Sequence, residues 1–253
     1  MFANMKISIV TVSFNDKNVI DRTINSVLQQ ETDSPEDSIE YWILDAKSID
    51  GTVHTAMEYS NRMKDKGIAY HVLSENDFGI YDGMNKGARL STGDVIGFLN
   101  CGDTYEAGGL KSVFRIFREQ RCDLMVGSIR IHKSNGVSFI KRSRLRKYQT
   151  SRDWNHPASF VRTELLRKYP YLNKGIHDDY GFYLKMVRQG RKIICVDEVL
   201  ANFYMGGISN KKSMGLAIRR VKDRYLYCYR CNGFSRLYIF DCILMEIVKF
   251  LIG

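Results

Sequence analysis

Hydrophobic positions in the first hundred residues follow two alternating rhythms. KISIVTVS (6–13) is a short run rich in Ile and Val, as a buried strand requires. From about Asp16 to Gln30 the apolar residues Val19, Ile20, Ile24, Val27 and Leu28 recur at helical spacing. The alternation then repeats: a strand over 39–46 (IEYWILDA), a helix over 51–66, a strand over 68–73, a helix over 79–91 that begins just after Gly79, and a strand over 94–100. Strands alternating with helices predict an α/β fold whose mostly parallel sheet is flanked by helices on both faces.

The second half is less regular. Residues 122–131 and 136–141 read as a hairpin around Lys133–Gly136, 159–162 as a short strand, 178–189 as a helix, and 192–199 as a strand. Residues 213–230 and 234–252 read as helices.

In open α/β sheets ligands bind at the carboxyl ends of the strands. Here those ends carry acids: Asp16 after the first strand, Asp45 at the second, Glu75 and Asp77 after the third, and Asn100–Cys101–Gly102–Asp103 after the fourth. Carboxylates gathered on one edge suit a hard divalent cation whose shell is completed by substrate phosphates.

Charge divides the chain in the same way. Residues 1–120 hold 12 Lys+Arg against 18 Asp+Glu, a net −6, whereas 121–253 carry the remaining 26 and 10, a net +16. The basic half fits a phosphate-bearing surface, either nucleic acid or anionic lipid. The six cysteines are scattered, and the single C-x-x-C at Cys228 and Cys231 lacks the second ligand pair of a zinc site. Reduced thiols and the absence of a signal-peptide pattern in MFANMKISIV lead to the expectation of a cytoplasmic protein.

Several motifs, in order, resemble glycosyltransferase family 2, the inverting family with the GT-A fold. They are SIVTVSFN, DAKSIDGT (45–52), SENDFGIYDGMNKGARLSTGDVIGFLN (74–100), HPASFVR, HDDYGF and MGGIS. The form is closest to bacterial members that build surface polysaccharide or lipid-linked oligosaccharide. The resemblance implies a catalytic domain over 1–210, with a nucleotide-sugar-binding half (1–105) and an acceptor-binding half (106–210). Residues 211–253 would form a basic and apolar helical appendage that associates with membrane.

It also implies roles, each beside a plainer reading. Thr11 is a β-branched strand residue, and the end of this strand contacts the nucleotide base in the family. Asp45 can cap its loop or accept from the base. Asp82 and Asn85 share a helix face, which suits solvated surface or the diphosphate end of the donor. Asp77 fits a loop carboxylate, an N-cap or the donor site, and Asn100 joins the donor site at the fourth strand end. Gly206 and Gly207 could offer backbone N–H groups to a phosphate or form a tight turn. Asp103 would hold Mg²⁺ or Mn²⁺, although the acid the family often has one place earlier is Gly102 here. Asp179 would be the base that takes the acceptor hydroxyl proton, with Asp178 a helix-start acid. Trp154 fits a sugar platform or the core, and His156 a site residue or a structural one.

The expected partners are a nucleotide-sugar donor, most often UDP-linked in the family, a saccharide or lipid-linked acceptor, and an anionic membrane surface at the inner face of the membrane. A sugar nucleotidyltransferase would need a glycine-rich basic loop after the first strand, where Phe14–Asn15–Asp16 stands. A nucleic-acid binder is disfavoured because KRSRLRK (141–147) lacks interleaved aromatics. A non-enzymatic membrane module leaves the acidic strand ends unexplained. SRLYIFDCILMEIVKFLIG (235–253) carries Asp241, Glu246 and Lys249, too many charges for a spanning helix. It therefore reads as an interfacial helix beside Arg219, Arg220, Lys222, Arg224 and Arg230, or as a helix that packs on the core or on a second copy in a homodimer.

Overall fold

A computed structural model describes residues 4–205 and 213–252, with side chains of the last helix followed to Val248. The alternating rhythm becomes four parallel strands: β1 (Lys6–Ser13), β2 (Ser38–Asp45), β3 (Ala69–Ser74) and β4 (Val95–Phe98), in the order β3-β2-β1-β4. The later strands are β5 (Thr104–Tyr105), β6 (Leu124–His132), β7 (Ser138–Lys141), β8 (Ser159–Arg162) and β9 (Ile193–Tyr204). β8 joins β4 antiparallel and β6 joins β8 antiparallel, so β6 and its parallel neighbour β9 point the same way as β1 to β4. The sheet is thus mixed where the second half enters, because β8 runs against its neighbours.

The alternation of β1 explains the two-sided core. Ile7 and Ile9 join one apolar cluster with Ile20, Ile24 and Val27 of α1 (Lys17–Leu28). Val10 and Val12 point to the opposite cluster, with Met84 and Ala88 of α4 (Ile80–Leu90). α4 lies unusually close to β1. A Cβ on Gly87 would stand 2.6 Å from Val10 Cγ1, which only glycine avoids.

The helix expected over 51–66 is broken into α2 (Thr52–Met57) and α3 (Ser60–Asp65). Two helices not foreseen, α5 (Gly109–Gln120) and α6 (Thr163–Lys168), complete the two layers with α7 (Asp178–Arg188). α5 adds Val113, Phe114 and Phe117 to the first core, all fully buried.

α8 (Met214–Asp223) runs into a π-helical turn (Arg224–Tyr229), and α9 (Tyr238–Ile252) follows. Arg220 and Arg224 are only 2% exposed, and both bond Glu246 of α9, at 2.7 Å from Arg220 Nε and 3.4 Å from Arg224 Nη2. This corrects the expectation that all the arginines of this segment face a membrane. Two of them face Glu246, because a buried carboxylate on an apolar helix needs charged partners. Among the described residues no helix is long and apolar enough to cross a membrane.

Candidate active site

The carboxyl ends of β1, β2, β3 and β4 and the start of β8 meet on one edge, and most of the residues singled out in the sequence lie along it. Asp45 ends β2 and is 2% exposed. It accepts hydrogen bonds from Ser74 Oγ (2.7 Å), Ser13 Oγ (3.2 Å), the Ser48 amide (2.9 Å) and the Ser48 hydroxyl. Both oxygens are therefore engaged in tying three strand ends together. Thr11 is fully buried and its hydroxyl lies 3.0 Å from Tyr41 Oη, so its side chain is turned into the core.

The start of α4 is stitched by two carboxylates. Asp77 Oδ1 accepts from the Gly79 amide (3.0 Å) and Asp82 Oδ2 from the Phe78 amide (3.1 Å). Asn85 brackets the backbone of Tyr171, with Nδ2 donating to its carbonyl and Oδ1 accepting from its amide, both at 2.9 Å. Its amide is thereby used to fix Tyr171 beneath the cleft.

After β4 the chain turns through Asn100–Asp103. Thr23 of α1 holds that turn: its hydroxyl accepts from the Gly102 amide and donates to the Asp103 carbonyl, both at 2.8 Å. Gly102 has φ +96°, and a Cβ there would sit 3.1 Å from Arg22 Nη2. A second acid at this position would be strained and would crowd Arg22. Asp103 is 4% exposed and one oxygen accepts from the Tyr204 amide at 3.0 Å. Burial pushes its carboxyl up to about 7, against the opposing pull of that amide and of Arg22. Arg22 itself lies over the Tyr204 ring, 4.1 Å from its centroid.

Asn100 Oδ1 is buried with no hydrogen-bond partner. Asn100 and Asp103 share one turn, closed by the Asp103 amide on the Asn100 carbonyl at 3.0 Å, and an unsatisfied acceptor and a carboxylate in one turn could serve a divalent cation. Among the described residues no group of three metal-ligating side chains converges. Any cation here must therefore draw most of its ligands from phosphate and water, as Mg²⁺ commonly does.

Asp179 lies in the first turn of α7 and is embraced by aromatic groups. Tyr81 Oη donates to Oδ1 at 2.6 Å and Trp154 Nε1 to Oδ2 at 2.8 Å. His156 Nδ1 stands 3.5 Å from Oδ2. Burial alone would raise the Asp179 carboxyl. The charge His156 can carry, the Tyr81 and Trp154 donors, and His177 outweigh it, and the carboxyl is held below its ordinary value. His156 is itself pushed down by burial, with the Asp179 charge pulling the other way. Both His156 ring nitrogens lack a hydrogen-bond partner, and the ring stacks on Phe98 with centroids 6.0 Å apart.

Asp178 faces the other way. It is 3% exposed and caps the preceding loop through the amides of Lys174 (2.7 Å) and Gly175 (3.1 Å). Trp154 is buried as well, so it serves as a holder of Asp179 and offers no open stacking platform. Tyr81, Tyr171, Thr23 and Arg22 were not singled out from the sequence. Gly206 and Gly207 lie outside the described residues.

The sequence profile of Glycosyl transferase family 2 matches residues 8–187. Two uncharacterized glycosyltransferases of Mycobacterium tuberculosis are 35% identical over 99 residues, which is 39% of this chain and 34% of each relative. The chain thus spans about a third of the length of these relatives. A PGL/p-HBAD biosynthesis glycosyltransferase of Mycobacterium bovis is 26% identical over 209 residues, covering 80% of this chain and 78% of that one. The Escherichia coli UDP-Gal:alpha-D-GlcNAc-diphosphoundecaprenol beta-1,3-galactosyltransferase is 31% identical over 98 residues, 37% of this chain and 35% of that protein. Among solved structures, S. aureus TarS 1-349 with UDP-GlcNAc superposes at TM-score 0.69 with 17% identity, covering 97% of this chain and 72% of that one. Mannosyltransferase PcManGT of Pyrobaculum calidifontis with GDP-Man and Mn²⁺ superposes at 0.63 with 13% identity, covering 97% and 70%. These superpositions establish the GT-A fold, and with the profile extending over most of its length the chain belongs to glycosyl transferase family 2.

Proposed function

We propose that this glycosyltransferase moves a sugar, with inversion, from a UDP-linked donor to a lipid-linked saccharide. The observation that carries the reading is Asp179, which accepts hydrogen bonds from Tyr81 and Trp154 beside His156 in an aromatic cleft on the edge where the strands end. An ionised carboxylate there can take the acceptor hydroxyl proton as that oxygen attacks the anomeric carbon. His156, with Nδ1 3.5 Å from Asp179 Oδ2, helps to orient that carboxylate.

Asp103 and Asn100 are the residues that would hold Mg²⁺ or Mn²⁺. When bound, the cation would offset charge developing on the diphosphate. Arg22, exposed and next to Gly102, adds a second positive charge for the same group. Asp45, Asp77, Asp82 and Asn85 shape the donor pocket by fixing its loops, and Thr11 by fixing the end of β1. The likeness to the Escherichia coli enzyme, whose name specifies a UDP-sugar and a diphosphoundecaprenol-linked acceptor, supports the substrate assignment. The PcManGT complex supports the cation.

The protein would meet its acceptor at an anionic membrane surface, on the cytoplasmic side. Leu237, just before α9, and Phe240 and Leu244 of α9 are exposed. The basic segment 144–152 lies beside it: Tyr229 Oη joins the Gln149 carbonyl (3.2 Å) to Asp241 of α9 (3.1 Å), and Tyr148 is 72% exposed. Apolar residues flanked by cations and tyrosine suit the headgroup layer.

The test is nucleotide release from UDP- and GDP-sugars in the presence of a polyprenyl-diphosphate-linked saccharide, with and without chelator. UDP release that needs the acceptor, stops with chelator and returns with Mg²⁺ or Mn²⁺ is expected. Full turnover in excess chelator would remove the cation from the account. Release confined to GDP-sugars would overturn the donor assignment.

A further inference from the structure

Tyr81 and Trp154 hold the carboxylate of Asp179, and the backbone that carries it is held from elsewhere. The π-helical turn (Arg224–Tyr229) and the residues just after it grip the first turn of α7. Cys228 Sγ donates to the His177 carbonyl at 3.1 Å, the Tyr229 and Tyr180 hydroxyls lie 3.1 Å apart, and Asn232 Nδ2 donates to the Gly181 carbonyl at 3.0 Å. A Cβ on Gly181 would stand 3.1 Å from the Tyr227 carbonyl oxygen, so the two backbones meet where α7 lacks a side chain. Asp179 thus lies between residues that are each tied to the C-terminal segment.

The contact with chemical direction is Arg224 Nη2 to His177 Nε2, at 3.1 Å. A guanidinium can only donate, so Nε2 accepts and the ring proton sits on Nδ1. His177 is the residue at which α7 begins, and its carbonyl accepts from the Gly181 amide at 3.0 Å. Fixing this ring therefore fixes the turn that presents Asp179. Pairing with Glu246 does not account for Arg224 as well. Arg220 Nη2 already meets that carboxylate at 2.6 Å, whereas Arg224 reaches it at 3.4 Å. Arg224 is 2% exposed and leaves Nε and Nη1 without hydrogen-bond partners, so the bond to His177 is the shorter of the two it makes.

We infer that Arg224 is a positioning residue for the transfer reaction, acting through His177 to fix the first turn of α7 and with it the carboxylate of Asp179. The inference rests on Asp179 as the base, as proposed above, and adds the C-terminal segment to the machinery that aims it.

The test measures kcat in the nucleotide-release assay and UDP affinity, separately, on the full chain. His177 is half-buried, so its variants should fold, with melting temperature as the check. His177→Phe removes the acceptor and should lower kcat roughly ten- to hundredfold, as a misplaced catalytic group does, with UDP affinity near the parent's. His177→Gln, whose side-chain oxygen can accept from Arg224, should recover most of that loss. Arg224→Met should repeat the loss, and its combination with His177→Phe should be no slower than the slower single variant, because one acts through the other. Independently of turnover, nitrogen-15 NMR of the parent should show the His177 ring with Nε2 unprotonated. Parent-like kcat in His177→Phe, equal loss in His177→Gln and His177→Phe, or a ring protonated at Nε2 would each overturn the inference. If Arg224→Met does not fold, the two His177 variants and the ring protonation decide it. Near-parent turnover in Asp179→Asn would overturn the base assignment itself, whereas collapse there beside a parent-like His177→Phe would overturn this inference alone.

Discussion

The Tyr81 hydroxyl donates a 2.6 Å hydrogen bond to Asp179 Oδ1, joining residues 98 positions apart in the chain. It couples the first half of the chain to the second, because Tyr81 opens α4, whose glycines pack on β1, while Asp179 opens α7. The contact depends on how closely α4 approaches the sheet.

Tyr81→Phe removes a donor to the ionised carboxylate, so the Asp179 pKa should rise toward its ordinary value or above. With cation held saturating, so that protonation of Asp103 does not limit the rate, activity of the parent should persist to low pH and fall only below the usual carboxylate range. In the variant the acid limb of the kcat profile should move to higher pH. An acid limb that stays in place would show that the hydrogen bond does not tune Asp179.

Asp103 gives a second pH signature. Its folded-state value of about 7 exceeds the ordinary 3.8, so without cation the folded protein holds this proton more tightly than the unfolded chain does. The stability it contributes is present at low pH and lost as pH rises toward and through 7. Melting temperatures of the parent relative to Asp103→Asn should therefore decline between about pH 4 and 7. Mg²⁺ or Mn²⁺ competes with the proton, so its stabilising shift should be larger at pH 8 than at pH 6. A cation shift independent of pH, or retained in Asp103→Asn, would exclude Asp103 as a ligand.

Gly87→Ala tests the packing that positions Tyr81. The new methyl would meet Val10 at 2.6 Å in a filled core. A loss of about 1–3 kcal/mol in denaturant unfolding is expected from overpacking. Turnover should fall more than UDP-sugar binding, because Tyr81 moves with α4.

Glu246→Ala should cost about 3–5 kcal/mol, since it removes the carboxylate that pairs with the buried Arg220 and Arg224. Removing residues 235–253 removes the same carboxylate, so truncation cannot separate membrane binding from folding. Phe240→Ser with Leu244→Ser removes exposed apolar surface instead. It should weaken co-sedimentation with anionic liposomes at low salt and leave the melting temperature unchanged.

The parallel half of the fold was legible because each strand and helix keeps its own period and β1, β2 and β4 are buried on both faces. The break between α2 and α3 was not, since Glu58 and Tyr59 interrupt no apolar pattern. β5 is two residues long and owes its pairing to β9, which no local signal announces. The acids at the strand ends were visible as residue types, but their partners were not. Nothing local says that Asp45 is claimed by three serines or that Asn85 brackets Tyr171. Trp154 and His156 stood out as chemically capable, yet their convergence on Asp179 depends on long-range packing. Tyr81 sits inside the most specific motif and could have been read there as a tyrosine beside the conspicuous acids.

The most direct measurement compares Asp179→Asn with Asp178→Asn, reading turnover and UDP-sugar affinity separately. Asp179→Asn keeps the shape and removes the proton acceptor, so kcat should drop by roughly 10²–10⁴ with donor affinity near the parent's. Asp178→Asn should mainly lower stability, by about 1 kcal/mol, because its carboxylate caps Lys174 and Gly175. Near-parent turnover in Asp179→Asn, with the collapse in Asp178→Asn instead, would contradict the account.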